Sequence, residues 1–201
     1  MPDPEMTAVL ERQRQAFLTE GAPDIGMRRD RLARLRKATL AHRRDLARAI
    51  SADFSHRSAH ESDLLELMVV VQAIDYLQKN LRRFMRPQKR HVAPTYRAGR
   101  AWVEYQPKGI IGIMAPWNYP VSLVLIPLAT ALAAGNRAML KPSELTQRTS
   151  ALLRDMLAEA FPEDEVAVIL GGPEVGAAFS RLPFDHLLFT GSTPVGRKVM
   201  Q

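Results

Sequence analysis

A stretch of 27 residues, from Gly109 to Gly135, contains no charged side chain. A segment of this length could cross a bilayer as one helix. However, Pro116, Pro120 and Pro127 interrupt it, and a proline inside a helix costs roughly 3 kcal/mol. We therefore interpret the stretch as two shorter buried elements joined by a turn, and we expect no association with a membrane.

Residues 108–201 alternate between short apolar runs and helix-forming segments. The predicted strands are 110–115, 137–141, 165–170 and 186–190, and the predicted helices are 121–134, 144–160 (capped by Ser143), a short one after Gly171-Gly172-Pro173 and one after residue 193. Such alternation is typical of an α/β fold with a doubly wound, mostly parallel sheet that carries helices on both faces. Ligands of these sheets bind at the carboxyl ends of the strands, which here are residues 114–118, 141–144, 171–173 and 190–192.

The first hundred residues have a different character. Three segments rich in helix formers predict helices over 5–20, 24–53 and 59–86, with Leu64 and Met68 on the buried face of the third. Residues 92–106 place apolar side chains in short alternating runs, which indicates a β-hairpin or an exposed ribbon. We predict three parts, listed in chain order: a helical part over 1–91, a hairpin over 92–107 and an incomplete sheet domain over 108–201.

The composition excludes several classes of functional site. The chain has no cysteine, which excludes disulfides, cysteine-bound metals and a thiol nucleophile within it. None of the five histidines has a convincing metal-binding spacing, so we expect no metal. Residues 1–20 lack the apolar segment of a signal peptide, and we expect a cytoplasmic location.

The positive charge lies in the first half of the chain. Residues 1–100 hold 20 Lys and Arg against 12 Asp and Glu, whereas residues 101–201 hold 8 against 9. The basic run from Arg28 to Arg48 could bind nucleic acid, or it could be the solvated face of a helix that packs on a larger body. Because no aromatic side chain is interleaved for stacking, we favour the solvated face and expect no nucleic-acid partner.

Three motifs follow the predicted strands and could carry chemistry. In Pro116-Trp117-Asn118-Tyr119-Pro120, a fixed asparagine amide could stabilise an oxyanion, or it could satisfy turn carbonyls. In Lys141-Pro142-Ser143-Glu144, the carboxylate could accept hydrogen bonds from ribose hydroxyls, or it could form a solvated pair with the lysine. In the segment from Thr190 to Gly196, the glycine turn before a helix could bind a phosphate, or it could be a plain turn.

With PWNYP, KPSE and FTGSTPVG in this order, the sequence resembles the aldehyde dehydrogenase superfamily, over essentially its whole length. The branch with a short N-terminus, which includes coniferyl-aldehyde dehydrogenase-like proteins, is the most similar. The resemblance implies a Rossmann-like, truncated aldehyde dehydrogenase fold that binds NAD, with NADP possible. In the complete enzyme it implies an aldehyde substrate, possibly aromatic, and a homodimer.

The resemblance also assigns roles to single residues. Asn118 matches the catalytic asparagine whose amide holds the oxyanion. Glu144 matches the residue that contacts the adenosine ribose and should favour NAD by repelling a 2′-phosphate. The other residues that the resemblance places at the cofactor are Met114, Ala115, Pro116, Trp117, Lys141, Ser143, Gly172, Gly176, Thr190, Gly191, Ser192 and Val195.

One departure from the family pattern affects the expected activity. The nucleophile of the family is a cysteine downstream of the FTGS turn, its general base is a glutamate between the two, and residues 1–201 contain neither position. We therefore expect the N-terminal, cofactor-binding portion of an aldehyde dehydrogenase, which does not oxidise aldehydes by itself. Two alternatives stay open: a remnant that binds NAD without chemistry, and a basic interaction module.

Overall fold

The computed structural model describes residues 3–201. Helices make up most of the first part: α1 (Pro4–Glu20), α2 (Ile25–Ala41), α3 (Arg43–Asp53), the short α4 (Ala59–Ser62), a π-helical turn over Asp63–Leu67 and α5 (Met68–Phe84). A ribbon of β1 (Gln88–Arg90) and β2 (Ala101–Val103) follows, with a 3₁₀ turn over Pro94–Tyr96 between its strands.

Strands and helices then alternate to the end of the chain. The elements are β3 (Ile110–Met114), α6 (Ser122–Ala133), β4 (Arg137–Lys141), α7 (Gln147–Ala160), β5 (Val166–Val168), α8 (Pro173–Ser180), β6 (His186–Phe189) and α9 (Thr193–Val199). All four predicted strands are therefore present, and each lies inside its predicted range.

Four strands form one parallel sheet in the order β5-β4-β3-β6. In the register, Ile111 pairs with Ala138 on one side and with His186 on the other. Because every pair is parallel, the carboxyl ends of the four strands share one edge. The predicted α/β class and parallel sheet are confirmed.

The two faces of the sheet are both buried, and alternate residues of each strand supply them. Ile111 and Ile113 point into the larger core, which the helices α2, α3, α5, α6 and α7 complete. Ile110 points into a smaller core on the opposite face, together with Met139 and side chains of α1 and α8. Helices thus cover both faces, as a doubly wound sheet requires.

The predicted helix over 24–53 is wrong in one respect, because it divides at His42. That residue leaves the helical conformation, with φ −93° and ψ 9°, and its imidazole Nδ1 lies 3.1 Å from the carbonyl oxygen of Ala38. The break redirects the chain, so that α3 packs along α7 while α2 packs mainly against α5 and α6.

The predicted helix over 59–86 contains the π-helical turn, which changes its buried face. A π-turn adds one residue to a helical turn, so the side chains on either side of it fall out of phase. Leu64 and Met68, predicted to be buried, are 54% and 44% exposed, whereas Glu66 and Val70 are fully buried. A regular 3.6-residue period cannot anticipate this shift.

Two smaller predictions also need correction. The ribbon is antiparallel as expected, but its first strand is Gln88–Arg90 and lies before residue 92, so the predicted range starts too late. Ser143 does not cap a helix that begins at residue 144: α7 begins at Gln147 with Thr146 as its N-cap, and Ser143 Oγ accepts a hydrogen bond from the backbone N–H of Leu145 at 3.2 Å. Pro142 and Ser143 therefore belong to a turn before the helix.

An ionic network lies at the amino end of the sheet, opposite the edge formed by the carboxyl ends of the strands. Arg31 and Arg34 both pair with Glu165, and Arg137 pairs with Glu20 at 2.6 Å. Arg31 is 4% exposed in its side chain and Arg137 is 2% exposed. Part of the basic run is thus inside the fold and does not form one exposed surface. Within residues 3–201, no helix is both long and apolar enough to span a bilayer.

Candidate functional site

The turn over residues 115–121, which follows β3, carries the predicted catalytic asparagine. Asn118 is exposed, whereas Pro120 and Val121 on its C-terminal side are buried. The side-chain amide of Asn118 makes no hydrogen bond within residues 3–201, so its N–H₂ group is available to a ligand. This geometry disfavours the alternative that the amide satisfies turn carbonyls.

The helix after this turn obtains its N-terminal cap from a distant residue. Its N-cap, Val121, has no side chain that could accept a hydrogen bond. The carboxylate of Glu66 takes that place, since its Oε2 accepts hydrogen bonds from the backbone N–H groups of Val121 at 2.7 Å and Ser122 at 3.1 Å. Burial raises the pKa of Glu66, although these bonds and the nearby Arg57 act in the opposite direction.

The same arrangement recurs at the next helix. The carboxylate of Asp53 accepts the backbone N–H of Arg148 at 3.1 Å and of Thr149 at 2.8 Å, at the start of α7. The helices and helical turns of residues 4–84, which we call the helical layer, thus supply the caps of the two helices that follow β3 and β4. Neither Asp53 nor Glu66 was singled out from the sequence, because each is separated from its partners by dozens of residues.

A lysine and a glutamate form a pair at the end of β4, which is the contact of the alternative interpretation, although the lysine is buried and not solvated. Lys141 is 4% exposed in its side chain, and its Nζ donates to the carbonyl oxygen of Pro142 at 2.9 Å and lies 3.7 Å from Glu144 Oε2. Burial lowers the pKa of Lys141, while the charges of Glu144 and Glu174 raise it. The glutamate is 38% exposed in its side chain, so its carboxylate is accessible from the ligand edge.

The glycine turns after β5 and β6 approach the same edge. Gly171 has φ +149°, a conformation that favours glycine, and Gly172 is the N-cap of α8. A Cβ at Gly191 would run into the ring of Phe189, so the backbone of that turn lies against the ring. All of α9, which follows this turn, lacks buried residues.

A single cleft of about 1290 Å³ joins these segments. It is lined by every residue that the family resemblance places at the cofactor: Met114, Ala115, Pro116, Trp117, Lys141, Ser143, Glu144, Gly172, Gly176, Thr190, Gly191, Ser192 and Val195. Asn118 is outside this lining and follows directly after Trp117. The structure therefore brings four separate chain segments to one edge of the sheet.

Nine further residues line the cleft. Pro142 and Pro173 belong to the strand ends at which the sequence predicted a ligand, whereas the other seven were not predicted: Ala177, Ser180, Arg181, Phe189, Lys198, Val199 and Gln201. Most of them lie on α8 and α9, one helical turn from predicted residues, and a helical projection from Gly176 and Val195 would have found part of the set. No group of three or more His, Asp or Glu side chains in residues 3–201 could hold a metal ion.

Comparison with known proteins is consistent with this geometry. A family model described as "Aldehyde dehydrogenase family" matches residues 3–201. The chain is 48% identical over 197 residues to a "Probable coniferyl aldehyde dehydrogenase" of Pseudomonas aeruginosa, with 98% of this chain and 41% of the relative covered. It is 42% identical over 197 residues to a "Coniferyl aldehyde dehydrogenase" of a Pseudomonas species, with 98% of this chain and 40% of the relative covered.

Solved structures give a similar result. The "Substrate bound state of Staphylococcus Aureus AldH" superposes with a TM-score of 0.93 at 30% identity, covering all of this chain and 43% of the other. The NAD+ complex of an aldehyde dehydrogenase from Bacillus cereus superposes with a TM-score of 0.85 at 25% identity, covering 99% of this chain and 40% of the other. The chain thus spans about two fifths of the length of these relatives.

Proposed function

Because the chain belongs to the aldehyde dehydrogenase family, we propose that it forms the cofactor-binding portion of an enzyme that oxidises an aldehyde to a carboxylic acid with NAD. The observation that carries this proposal is the cleft at the carboxyl edge of the sheet. Thirteen residues from four segments were expected to contact NAD, and all of them line that one cleft.

The chemistry of the lining fits a dinucleotide. Glu144 presents a partly exposed carboxylate that can accept hydrogen bonds from ribose hydroxyls, and the buried Lys141 amine lies beside it. The Gly191-Ser192 turn lies directly before α9, and the amino end of a helix attracts the negative charge of a pyrophosphate. The negative charge of Glu144 favours NAD over NADP, which carries an additional phosphate. When bound, NAD accepts a hydride from the substrate.

Asn118 is the residue that we propose to act on the substrate. Its exposed amide can donate a hydrogen bond to an oxygen that becomes negatively charged when a nucleophile adds to the aldehyde carbon. The cysteine nucleophile and glutamate base of the family have no counterpart in residues 1–201, so this portion binds and orients but does not supply the attacking group. We expect no turnover from the 201 residues alone.

The substrate and partner follow from the relatives. We propose an aromatic aldehyde of the coniferyl type, because relatives at 42% and 48% identity carry that name. We propose a homodimer for the complete enzyme, with the ribbon of β1 and β2 as a contact. Both strands of the ribbon are exposed throughout, and Trp102 is 55% exposed.

Titration calorimetry of the 201-residue chain with NAD tests the binding part of the proposal. We expect weak, saturable binding that Glu144→Ala reduces, with the exposed residue Glu11→Ala as a matched control that leaves it unchanged. The absence of saturable binding would contradict the assignment of the cleft.

A fusion tests the catalytic part. Residues 1–201 are joined to the region of the Pseudomonas aeruginosa relative that follows its matched segment, and oxidation of coniferyl aldehyde is followed by NADH absorbance. We expect activity, and a loss in kcat of about 10²–10³ in Asn118→Ala. Normal turnover in that variant would remove Asn118 from the mechanism. Turnover by the 201 residues without the added region would show that they supply their own nucleophile.

A further inference from the structure

Arg57 is a buried cation between α3 and α4, and its side chain is only 8% exposed. The guanidinium carbon lies 4.9 Å from the centre of the Phe54 ring and 4.8 Å from the centre of the Tyr119 ring. One ring belongs to the helical layer and the other to the turn that carries Asn118. The planar guanidinium therefore lies against one ring of the N-terminal helices and one ring of the turn.

Arg57 also makes a direct polar contact with the backbone of that turn. Its Nη1 donates to the carbonyl oxygen of Asn118 at 2.9 Å and lies 3.3 Å from Glu66 Oε1. The other carboxylate oxygen of Glu66 accepts the N–H groups of Val121 and Ser122. The backbone is thus fixed at Asn118 and again three residues later, by two side chains that contact each other.

These contacts leave the side chain of Asn118 exposed while its own carbonyl is held. The hydrogen bond from Arg57 holds the carbonyl of the peptide between Asn118 and Tyr119. The Cα of Asn118 lies in the plane of that peptide, so holding the plane restricts the positions that the Asn118 side chain can take. A donor stabilises an oxyanion only when it lies within hydrogen-bond distance of the place where the charge develops.

We infer that Arg57 is a positioning residue, which orients the Asn118 amide toward the substrate by holding the Asn118–Tyr119 peptide. This inference rests on the proposed function, since it assigns Arg57 a role in the same reaction. Arginine suits the role because one planar group can stack between two rings and donate to a carbonyl and a carboxylate together. Lysine offers a point charge and cannot reproduce the stacking.

The first experiment measures the turn directly and needs no catalysis. The backbone amide of Tyr119 belongs to the peptide that Arg57 holds, so its ¹⁵N order parameter reports the motion of that plane. In the 201-residue chain, we expect a clear fall in this order parameter in Arg57→Met and a smaller one in Arg57→Lys. The amide of Asn136, in a turn that Arg57 does not contact, is the internal control and should not change.

A fall at Tyr119 that leaves Asn136 unchanged supports the inference. An unchanged order parameter at Tyr119 overturns it. If Arg57→Met does not fold, because it leaves Glu66 without its partner, the double variant Arg57→Met with Glu66→Gln removes that charge, and Arg57→Lys retains a cation there. The same two criteria then apply to these variants.

The second experiment uses the fusion described above and a double-mutant cycle. We expect Arg57→Met to lower kcat at least tenfold while the KM for NAD stays within about twofold. In the Asn118→Ala background, the same substitution should lower kcat no further, because there is no amide left to orient. An equal loss in both backgrounds would show a purely structural role and would overturn the inference. If the fusion without substitutions is inactive, the proposed function fails, and the Tyr119 measurement still decides the role of Arg57.

Discussion

The turns after β3 and β6 face the same cleft, but they are held in different ways. The 115–121 turn is hydrogen-bonded to two side chains of the helical layer. Arg57 donates to the carbonyl oxygen of Asn118, and Glu66 accepts the N–H of Val121. The 190–192 turn has a backbone hydrogen bond from Thr190 N–H to the carbonyl oxygen of Met114, and within residues 3–201 no side chain of the helical layer is bonded to it. We therefore expect the turn with the proposed chemical role to be the more rigid of the two and the turn with the proposed cofactor role to be the more adaptable.

The strongest test of this difference removes the carboxylate that holds the first turn. Glu66→Ala leaves two buried N–H groups without an acceptor and Arg57 without its buried partner. Breaking a buried charge pair costs about 3–5 kcal/mol, and we expect a loss in the free energy of unfolding in that range. Urea unfolding measures it. Glu61→Ala, which removes the partly exposed partner of the same arginine, is the control and should cost no more than about 1 kcal/mol. Equal losses for the two variants would show that the buried Glu66 stabilises the turn no more than the partly exposed Glu61 does.

The second test concerns the helix after β4, which the helical layer also caps. Asp53→Ala removes the acceptor for the N–H groups of Arg148 and Thr149 and for the hydroxyl of Thr149. We expect a loss of about 1–2 kcal/mol in urea unfolding, as for other N-terminal caps. Asp45→Ala on the same helix, which removes an exposed pair with Arg48, should change stability by less than about 0.5 kcal/mol. A loss near zero for Asp53→Ala would show that the helical layer stabilises the turn after β3 but not the start of α7.

A third, smaller effect should appear in the pH dependence of stability. Burial raises the pKa of Glu66, so the folded chain retains a proton that the unfolded chain has released. The contribution of Glu66 to the free energy of unfolding therefore falls as the pH rises from its ordinary pKa of 4.5 to the raised value. Urea unfolding at several pH values should show a fall that is absent from Glu66→Gln. Glu61→Gln should retain most of it, because the charge of Glu61 is the smallest cause of the raised pKa. A wild-type profile identical to that of Glu66→Gln would contradict the raised pKa.

The smallest effect is expected at the adaptable turn. A methyl group at Gly191 would meet the far end of the Phe189 ring, which is only partly buried and must move to admit it. We expect Gly191→Ala to lower the free energy of unfolding by no more than about 1 kcal/mol. The contrast is Gly135→Ala, since Gly135 has φ +88° and lies against the buried guanidinium of Arg28, and there we expect a loss of about 1–3 kcal/mol. Similar losses at both glycines would mean that the 190–192 turn tolerates an added methyl group no better than the buried turn at Gly135.

The sequence was sufficient to predict the sheet and the edge at which the three motifs meet, because both follow from local patterns. Short apolar runs give the strands, and a parallel arrangement places their carboxyl ends together. PWNYP, KPSE and FTGSTPVG each follow a strand, so their meeting at one cleft could be expected before any coordinates. The cleft lining added mainly residues one helical turn away from those motifs.

What the sequence could not predict depends on contacts between distant segments. The π-turn over Asp63–Leu67 turns Glu66 inward, and the run of leucines around it gives no sign of that change. Glu66 is 55 residues away from Val121, and Asp53 is 95 residues away from Arg148. In the sequence alone, a capping carboxylate such as Glu66 or Asp53 cannot be distinguished from a solvated carboxylate on the surface of a helix.

The long-range caps have a consequence for how the chain reaches this structure. The helices α6 and α7 begin with N–H groups whose acceptors were synthesised much earlier, so neither helix is complete as a local unit. Closing loops of 55 and 95 residues costs chain entropy before the caps form, and contacts of such sequence separation slow folding. The units β3–α6 and β4–α7 should therefore become stable only after the N-terminal helices have docked on the sheet. We expect that docking to be a late step of folding, which completes the helices on both sides of the contact.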